Sequence, residues 1–271
     1  MVPAMPNPNL LRCAVVIPIY KPDLDAMERF SLDYSVARLQ GRDLYFIAPQ
    51  GLDLSYYHRH FPTVSAVRFD DAYFASIKGY NRLLLNPDFY QRFIAYEFML
   101  ILQTDAIILK DDLDWWCDQP YAYVGAPWPD GLEILVNLDV FNGANGKRVK
   151  THVGNGGLSL RRNAKCMALL AEFPQATQMF LQTGSSEDIF YSIMGAQSMD
   201  FLIPNERVAS RFALELKPEF YHAVNGGQPP MGGHAWWRYN QAFWNALLEQ
   251  TPPSLSAPSP VSDQQDASVV H

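Results

Sequence analysis

The first hundred or so residues hold four short apolar runs, "CAVVIPIY", "RDLYFIAP", "VSAVRFD" and "MLILQTDAIIL", with segments of helical spacing between them. No feature constrains the fold more. Continuous β-branched and aliphatic runs of this length suit strands buried on both faces, as in a parallel sheet. Between them, "DLDAMERFSLDYSVARL" places Leu24, Met27, Phe30, Leu32, Tyr34 and Leu39 at helical spacings. "SYYHRHF" reads as a short helix and "SIKGYNRLLL" as a longer one. The alternation predicts a parallel, right-handed, doubly wound α/β sheet for the first half. Ligands are then expected at the carboxyl ends of its strands.

The second half changes character. "DDLDWWCDQPYAYVGAPWPDG", "THVGNGGLSLRR" and "PPMGGHAWWRY" are rich in Gly, Pro and aromatic residues, as loops around a pocket would be, and helices are expected near "SSEDIFYSIMGA" and "YNQAFWNALLEQ". A chain of 271 residues that is 48% hydrophobic and 13% aromatic supports one large core. We expect a single domain over 12–250, between a flexible start (1–11) and a Pro/Ser-rich tail (251–271) with too few large apolar groups to offset its ordering entropy. A net charge of -7 argues against a nucleic-acid partner and means that an anionic ligand needs a local cation. Cys13, Cys117 and Cys166 are odd in number and widely spaced, which indicates neither a disulfide framework nor a cysteine zinc site and favours a reducing compartment. With no run near the roughly 20 apolar residues of a membrane span and no signal-peptide pattern, the expected location is cytoplasmic, at most peripheral to a membrane.

Several residues are placed to carry chemistry. Asp105 interrupts a buried run, where an unpaired carboxylate is costly; with Gln103 two residues earlier it offers oxygen ligands to a divalent cation, or it caps a turn or pairs with an arginine. His234, behind Gly232 and Gly233, is a borderline ligand for Mn²⁺ or zinc, or an ordinary loop histidine. In "SSEDIF", Ser186 suits a helix cap, with Glu187 and Asp188 in the first turn as dipole partners or as a general base. Asn155, Gly156 and Gly157 form either a backbone surface for a polar ligand or a hairpin turn. Lys78, Asn81 and Arg82 share a helix that offers cations and an amide to a phosphate or ribose, or simply a solvated face.

"VVIPIY", "KGYNRLL", "YEFMLILQTDA", "WCDQPYAYVGAPW", "VGNGGLSLRR", "EDIF" and "GGHAW" occur in an order that resembles a bacterial family known only as a domain of unknown function and related to GT-A-type nucleotide-sugar glycosyltransferases. The resemblance spans most of Val15 to Tyr239. It implies a GT-A-like (Rossmann-like) mostly parallel sheet flanked by helices, with a loop-rich acceptor side. It implies a nucleotide held by the end of the first strand (Pro18, Tyr20) and the following helices, and Mn²⁺ or Mg²⁺ on an Asp-x-Asp motif. Here that motif reads Gln103-Thr104-Asp105, one acid short, so only Asp105 carries over as a ligand, with His234 completing the shell. "EDIF" resembles the acid pair that supplies the base in inverting members, which points to Asp188 or else Glu187. "GNGG" resembles the segment under donor sugar and acceptor.

The expected function is therefore transfer of a sugar from a nucleoside-diphosphate donor to a glycan or other hydroxyl acceptor, inverting and metal-dependent, in polysaccharide or glycan assembly. Two rivals are a nucleotidyltransferase, which would release pyrophosphate, and a non-catalytic carbohydrate-binding module with Trp128, Trp236 and Trp237 as stacking platforms. The shared-metal reading requires the Asp105 carboxylate and the His234 imidazole to lie within about 8 Å of each other.

Overall fold

The computed structural model describes residues 10–136 and 147–251; the expected tail beyond Thr251 and all but the last two residues of the expected flexible start lie outside that range. β1 (Leu11–Pro18) is buried from Cys13 onward. α1 (Ala26–Arg38) opens on a capping box in which Asp25 accepts from the amides of Met27 and Glu28, while Glu28 accepts from the Asp25 amide. There follow β2 (Asp43–Pro49), α2 (Ser55–His60), β3 (Ser65–Phe69), α3 (Ile77–Leu84), α4 (Pro87–Gln91) and β4 (Tyr96–Leu102). β1 pairs in parallel with β2 and β4, and β2 with β3, as the alternation requires.

Past β4 the sheet changes sense. β5 (Ala106–Ile108), α5 (Leu113–Cys117), β6 (Tyr123–Val124), β7 (Pro127–Val136), β8 (Lys147–Val153) and β9 (Leu158–Arg162) come next. β9 runs antiparallel to both β4 and β6, giving a mixed six-stranded sheet in the order β3-β2-β1-β4-β9-β6. The chain then supplies α6 (Asn163–Glu172), α7 (Pro174–Thr183), α8 (Glu187–Gly195), α9 (Glu206–Phe212), β10 (Ala213–Leu214), α10 (Pro218–Val224), β11 (Gly232–His234) and α11 (Gln241–Gln250). Alternate residues of the central strands feed opposite faces: Val15, Ile17, Phe46 and Leu100 join one apolar cluster, and Ala14, Val16, Ile47 and Met99 the other.

Three local expectations are corrected. The run Met99–Leu109 is not one strand. It breaks after Leu102 into a turn closed by the Ala106 amide on the Gln103 carbonyl at 2.9 Å. It then resumes as β5, which lies antiparallel to β11 in a second sheet ordered β10-β11-β5. "VGNGG" is not a hairpin, because β8 pairs with β7 whereas β9 pairs with β4 and β6; the turn hands the chain from one sheet to another. Finally, the buried face of α1 is partly polar: Phe30 is 44% exposed, whereas Glu28, Ser31 and Ser35 are buried with Leu32 and Tyr34.

The two serines explain that last result. Each hydroxyl donates to the carbonyl one turn earlier, Ser31 to Met27 at 2.8 Å and Ser35 to Ser31 at 2.7 Å, and so offers its oxygen outward as an acceptor. Ser31 Oγ receives Trp236 Nε1–H at 2.9 Å, and Ser35 Oγ receives the Ile108 amide of β5 at 3.0 Å. α1 thus ties down the segment that carries Asp105. Ser35→Ala strands the Ile108 amide away from water and should cost roughly 1 to 3 kcal/mol, read as a lower urea midpoint at unchanged slope.

Candidate active site

A cavity of about 630 Å³ opens where β1 and β4 end; Pro18 and Tyr20 line one side, and the Gln103–Asp105 turn its floor. Gly156, Gly157, Glu187, Asp188, His234, Trp237 and Arg238 complete it from the second half of the chain. The pairing of β5 with β11 sets His234 opposite Ala106, and the Ala235 amide donates to the Asp105 carbonyl at 2.9 Å. His234 Nε2 consequently lies 3.1 Å from Asp105 Oδ1 and 3.3 Å from Gln103 Oε1. The expected convergence of these residues is met through a turn and a strand pair, not through one strand face.

The other ring nitrogen, Nδ1, faces Glu215 Oε1 at 3.0 Å. Burial would lower the His234 pKa, but hydrogen bonds to Asp105 and Glu215 outweigh it and raise it to about 9. Burial likewise acts to raise the Asp105 carboxyl, and the His234 hydrogen bond, reinforced by the Arg238 guanidinium 3.5 Å away, holds it below the ordinary range.

Among the described residues, no group of three or more His, Cys, Asp or Glu side chains is arranged as a metal site. The donor set nevertheless fits a cation shared with a ligand: one carboxylate, one imidazole nitrogen and one amide oxygen meet at distances that two bonds of roughly 2 Å can span. Asp105, His234 and Gln103 would supply only part of the shell of a magnesium-like ion, which would need further oxygen ligands from a bound molecule or water.

The acid pair lines the same cavity. Glu187 Oε1 accepts from Arg161 Nη2 at 3.0 Å, with Arg161 fully buried and its guanidinium against the rings of Tyr123 and Tyr191. Glu187 Oε2 is buried with no protein partner. Burial pushes this carboxyl up to about 7, against the pull of Arg161. Asp188 is also raised by burial, but both of its oxygens are engaged, Oδ1 by the Ile189 amide at 2.8 Å and Oδ2 by the Asn155 amide at 3.1 Å. Ser186 occupies the N-cap position of α8 without a side-chain cap bond, so the expected serine cap is corrected: the Asp188 side chain takes up a first-turn amide instead.

Of the residues singled out in the sequence, Pro18, Tyr20, Asn81, Gln103, Asp105, Gly156, Gly157, Glu187, Asp188 and His234 all line this cavity. Five do not. Lys78 packs over Gly184, and Arg82 donates to the carbonyls of Leu181 and Gln182, so neither cation is among the lining side chains. Trp128 lies against Gly154, and Trp236 is buried with its indole N–H on Ser31. Asn155 is 3% exposed and works from behind the wall. Its φ is 75°, its Oδ1 accepts from the amides of Gly157 and Leu158, its Nδ2 donates to Glu215, and its carbonyl accepts from Tyr123.

The cations that do face the cavity are Lys21, bonded to Glu28 at 2.7 Å, and Arg238, together with Trp237 in place of Trp236. Sequence reasoning passed over Lys21, Tyr80, Arg161, Glu215 and Arg238. Arg238 stood two residues beyond the quoted "GGHAW"; nothing local marked Glu215.

Comparison with solved structures places the fold. The galactosyltransferase LgtC, in complex with donor and acceptor sugar analogues, matches with a TM-score of 0.52 at 14% identity, over 90% of this chain and 98% of its own. Mouse xyloside xylosyltransferase 1, in its apo form, matches with a TM-score of 0.50 at 10% identity, over 83% and 97%. The architecture is that of the GT-A glycosyltransferases. The chain belongs to the family described as protein of unknown function (DUF5672), whose profile matches residues 63–234. No curated protein matches it by sequence.

The Asn155 side chain can be tested apart from its backbone. Asn155→Gly suits the positive φ but removes the acceptor for two buried amides and the donor to Glu215. A net loss of roughly 1 to 3 kcal/mol is expected by urea denaturation; a neutral or stabilising outcome would show the turn to be held by φ alone.

Proposed function

We propose that this chain transfers a glycosyl residue from a nucleoside-diphosphate donor to a hydroxyl acceptor. The observation that carries the reading is the meeting, in one cavity at the strand ends of a GT-A fold, of the Asp105–His234 pair with the acids Glu187 and Asp188. Sugar transfer builds negative charge on the leaving diphosphate while the acceptor hydroxyl loses a proton, so it calls for a cationic wall and a basic wall. Lys21 and Arg238 supply fixed positive charge to the first. Asp105 and His234, with the Gln103 amide, would hold a divalent cation that neutralises the diphosphate when bound.

Glu187 is the proton acceptor in this scheme. Its Oε2 is buried and accepts no hydrogen bond from the described residues, whereas each Asp188 oxygen already accepts a backbone amide. Arg161 holds the other Glu187 oxygen and fixes the direction in which the free one points. A base in this position supports an inverting course, which the anomeric configuration of the product, read by proton NMR, decides. The carbohydrate-binding module is less well supported, since of the three tryptophans named for it Trp236 is buried, Trp128 lies against Gly154 away from the cavity lining, and only Trp237 lines the cavity.

A thermal-shift panel of UDP-, GDP- and dTDP-sugars with and without Mn²⁺ identifies the donor, because a ligand bound only by the native state at a hundred times its Kd stabilises by about 2.7 kcal/mol. Release of nucleoside diphosphate supports transfer; release of pyrophosphate would establish the nucleotidyltransferase instead. Asp105→Ala should weaken Mn²⁺-dependent donor binding at least about tenfold, on the order of 1.4 kcal/mol, and Gln103→Ala by less, since an amide brings no charge. Equal losses would contradict the roles given to the two.

Because a general base acts only when ionised, kcat/KM should rise as pH passes upward through about 7 and level off above it. Glu187→Gln should remove that acidic limb and lower turnover by about a hundredfold to ten-thousandfold with little change in donor affinity. If Asp188→Asn does this and Glu187→Gln does not, the base is the neighbouring residue.

A further inference from the structure

We propose that Glu215 is the positioning residue of the cation site: it holds the His234 ring so that Nε2 points to Asp105 and Gln103, and keeps a proton on Nδ1 when a cation displaces the one on Nε2. The inference rests on the transferase reading for the presence of a cation, and on geometry for the role of Glu215. An imidazole can ligate only through a nitrogen that carries no proton, and neutral imidazole has one proton to place. A carboxylate against Nδ1 keeps the proton there, the arrangement by which outer carboxylates orient metal-bound histidines.

His234 is built for that arrangement. Nδ1 faces Glu215 Oε1 at 3.0 Å, and Nε2 faces Asp105 Oδ1 at 3.1 Å and Gln103 Oε1 at 3.3 Å, so the two nitrogens look to opposite sides. The ring lies on Gly157, where a Cβ would come within 2.1 Å of Nε2, so a side chain there would force the ring aside. Glu215 is itself held. Its Oε2 accepts from Asn155 Nδ2 at 2.5 Å, which commits both carboxylate oxygens and stops the group from rotating. Its backbone follows β10 directly, and Leu214 is in parallel register with Gly233, the residue before His234.

Glu215 is not among the residues that line the cavity, so it stands behind the histidine and does not compete for the cation. Through Asn155, whose amide donates to Asp188, the same carboxylate also joins the cation wall to the acid wall.

The test is Mn²⁺ binding by the full chain, read from the loss of free-ion EPR signal on titration with Mn²⁺ alone, in wild type, His234→Ala and Glu215→Gln. Wild type should bind, His234→Ala should not, and Glu215→Gln should bind about tenfold to a hundredfold more weakly while keeping its circular dichroism spectrum. Affinity of Glu215→Gln within twofold of wild type, or tighter, overturns the proposal. Should that variant fail to fold, two-bond proton–nitrogen spectra of Mg²⁺-loaded wild type read the tautomer without a substitution: a proton on Nδ1 is expected, and a proton on Nε2 overturns the role. Wild type that turns over a nucleotide sugar yet binds no Mn²⁺ also overturns it and leaves the transferase reading standing. Wild type that does neither removes the reading as well.

Discussion

The left-handed turn at Asn155 is the constraint on which the site depends. Between β8 and β9 the chain must leave one sheet and enter another within four residues, and it does so with φ of 75° at a residue that is not glycine. Asparagine tolerates that conformation better than most side chains, and here every polar group of the residue is used. The carbonyl takes Tyr123, the amide N–H goes to Asp188, Oδ1 receives the amides of Gly157 and Leu158, and Nδ2 reaches Glu215. One buried residue therefore ties Asp188, Glu215 and the glycine turn together. The energetic weight is in completeness, since any one of these groups left without its partner would carry a desolvation penalty of roughly 1 to 3 kcal/mol.

The glycines on either side follow from the same crowding. A Cβ on Gly156 would lie 2.1 Å from Glu187 Oε1, one on Gly157 would fall on the His234 ring, and one on Gly154 would enter the Trp128 ring. Side chains from the start of β7, the end of β11 and the start of α8 converge here, and the backbone must recede to admit them. Beneath this layer lies the Arg161–Glu187 pair, with tyrosine rings about the guanidinium. A buried ion pair contributes little net stability when its desolvation is counted. Its effect is directional: one Glu187 oxygen is held by Arg161 and the other is left unpaired among the described residues, as is the buried Tyr80 hydroxyl that also lines the cavity.

Much of the fold was legible because the chain declares it locally. The apolar runs behind β1, β2 and β4 cannot be helices that alternate with polar faces, and the segments between them have helical spacing, so a parallel sheet follows. The antiparallel β9 and the second sheet β10-β11-β5 were not legible, because strands of two to five residues give no periodic signal. The site divides the same way. Asp105 and His234 announced themselves as polar residues in apolar or glycine-rich company. Glu215 and Arg161 act through partners 19 and 26 residues away in the chain, and only tertiary pairing reveals them. Trp236 and Asn155 look like ligand contacts in sequence and prove to be buried supports, since an aromatic or amide in a Gly-rich loop serves either use equally well.

Charge around the cavity bears on what it can hold. Asp25, Glu28, Asp105, Glu187 and Asp188 line it against Lys21, Arg238 and His234. Lys21 is tied to Glu28, and Glu28 is further occupied by the Thr104 hydroxyl and the Asp25 amide. Arg238 leans toward Asp105. The positive side chains are thus largely compensated within the wall, and a diphosphate entering alone would meet little net attraction in a low-dielectric site where like charges repel strongly. In the proposed reading, a divalent cation held by Asp105 would reverse that balance by consuming a carboxylate and presenting surplus positive charge to the diphosphate. Under the proposed transfer the same electrostatic logic applies to position 103: beside a glutamine, a cation would keep more of its charge for the phosphates than beside a second carboxylate.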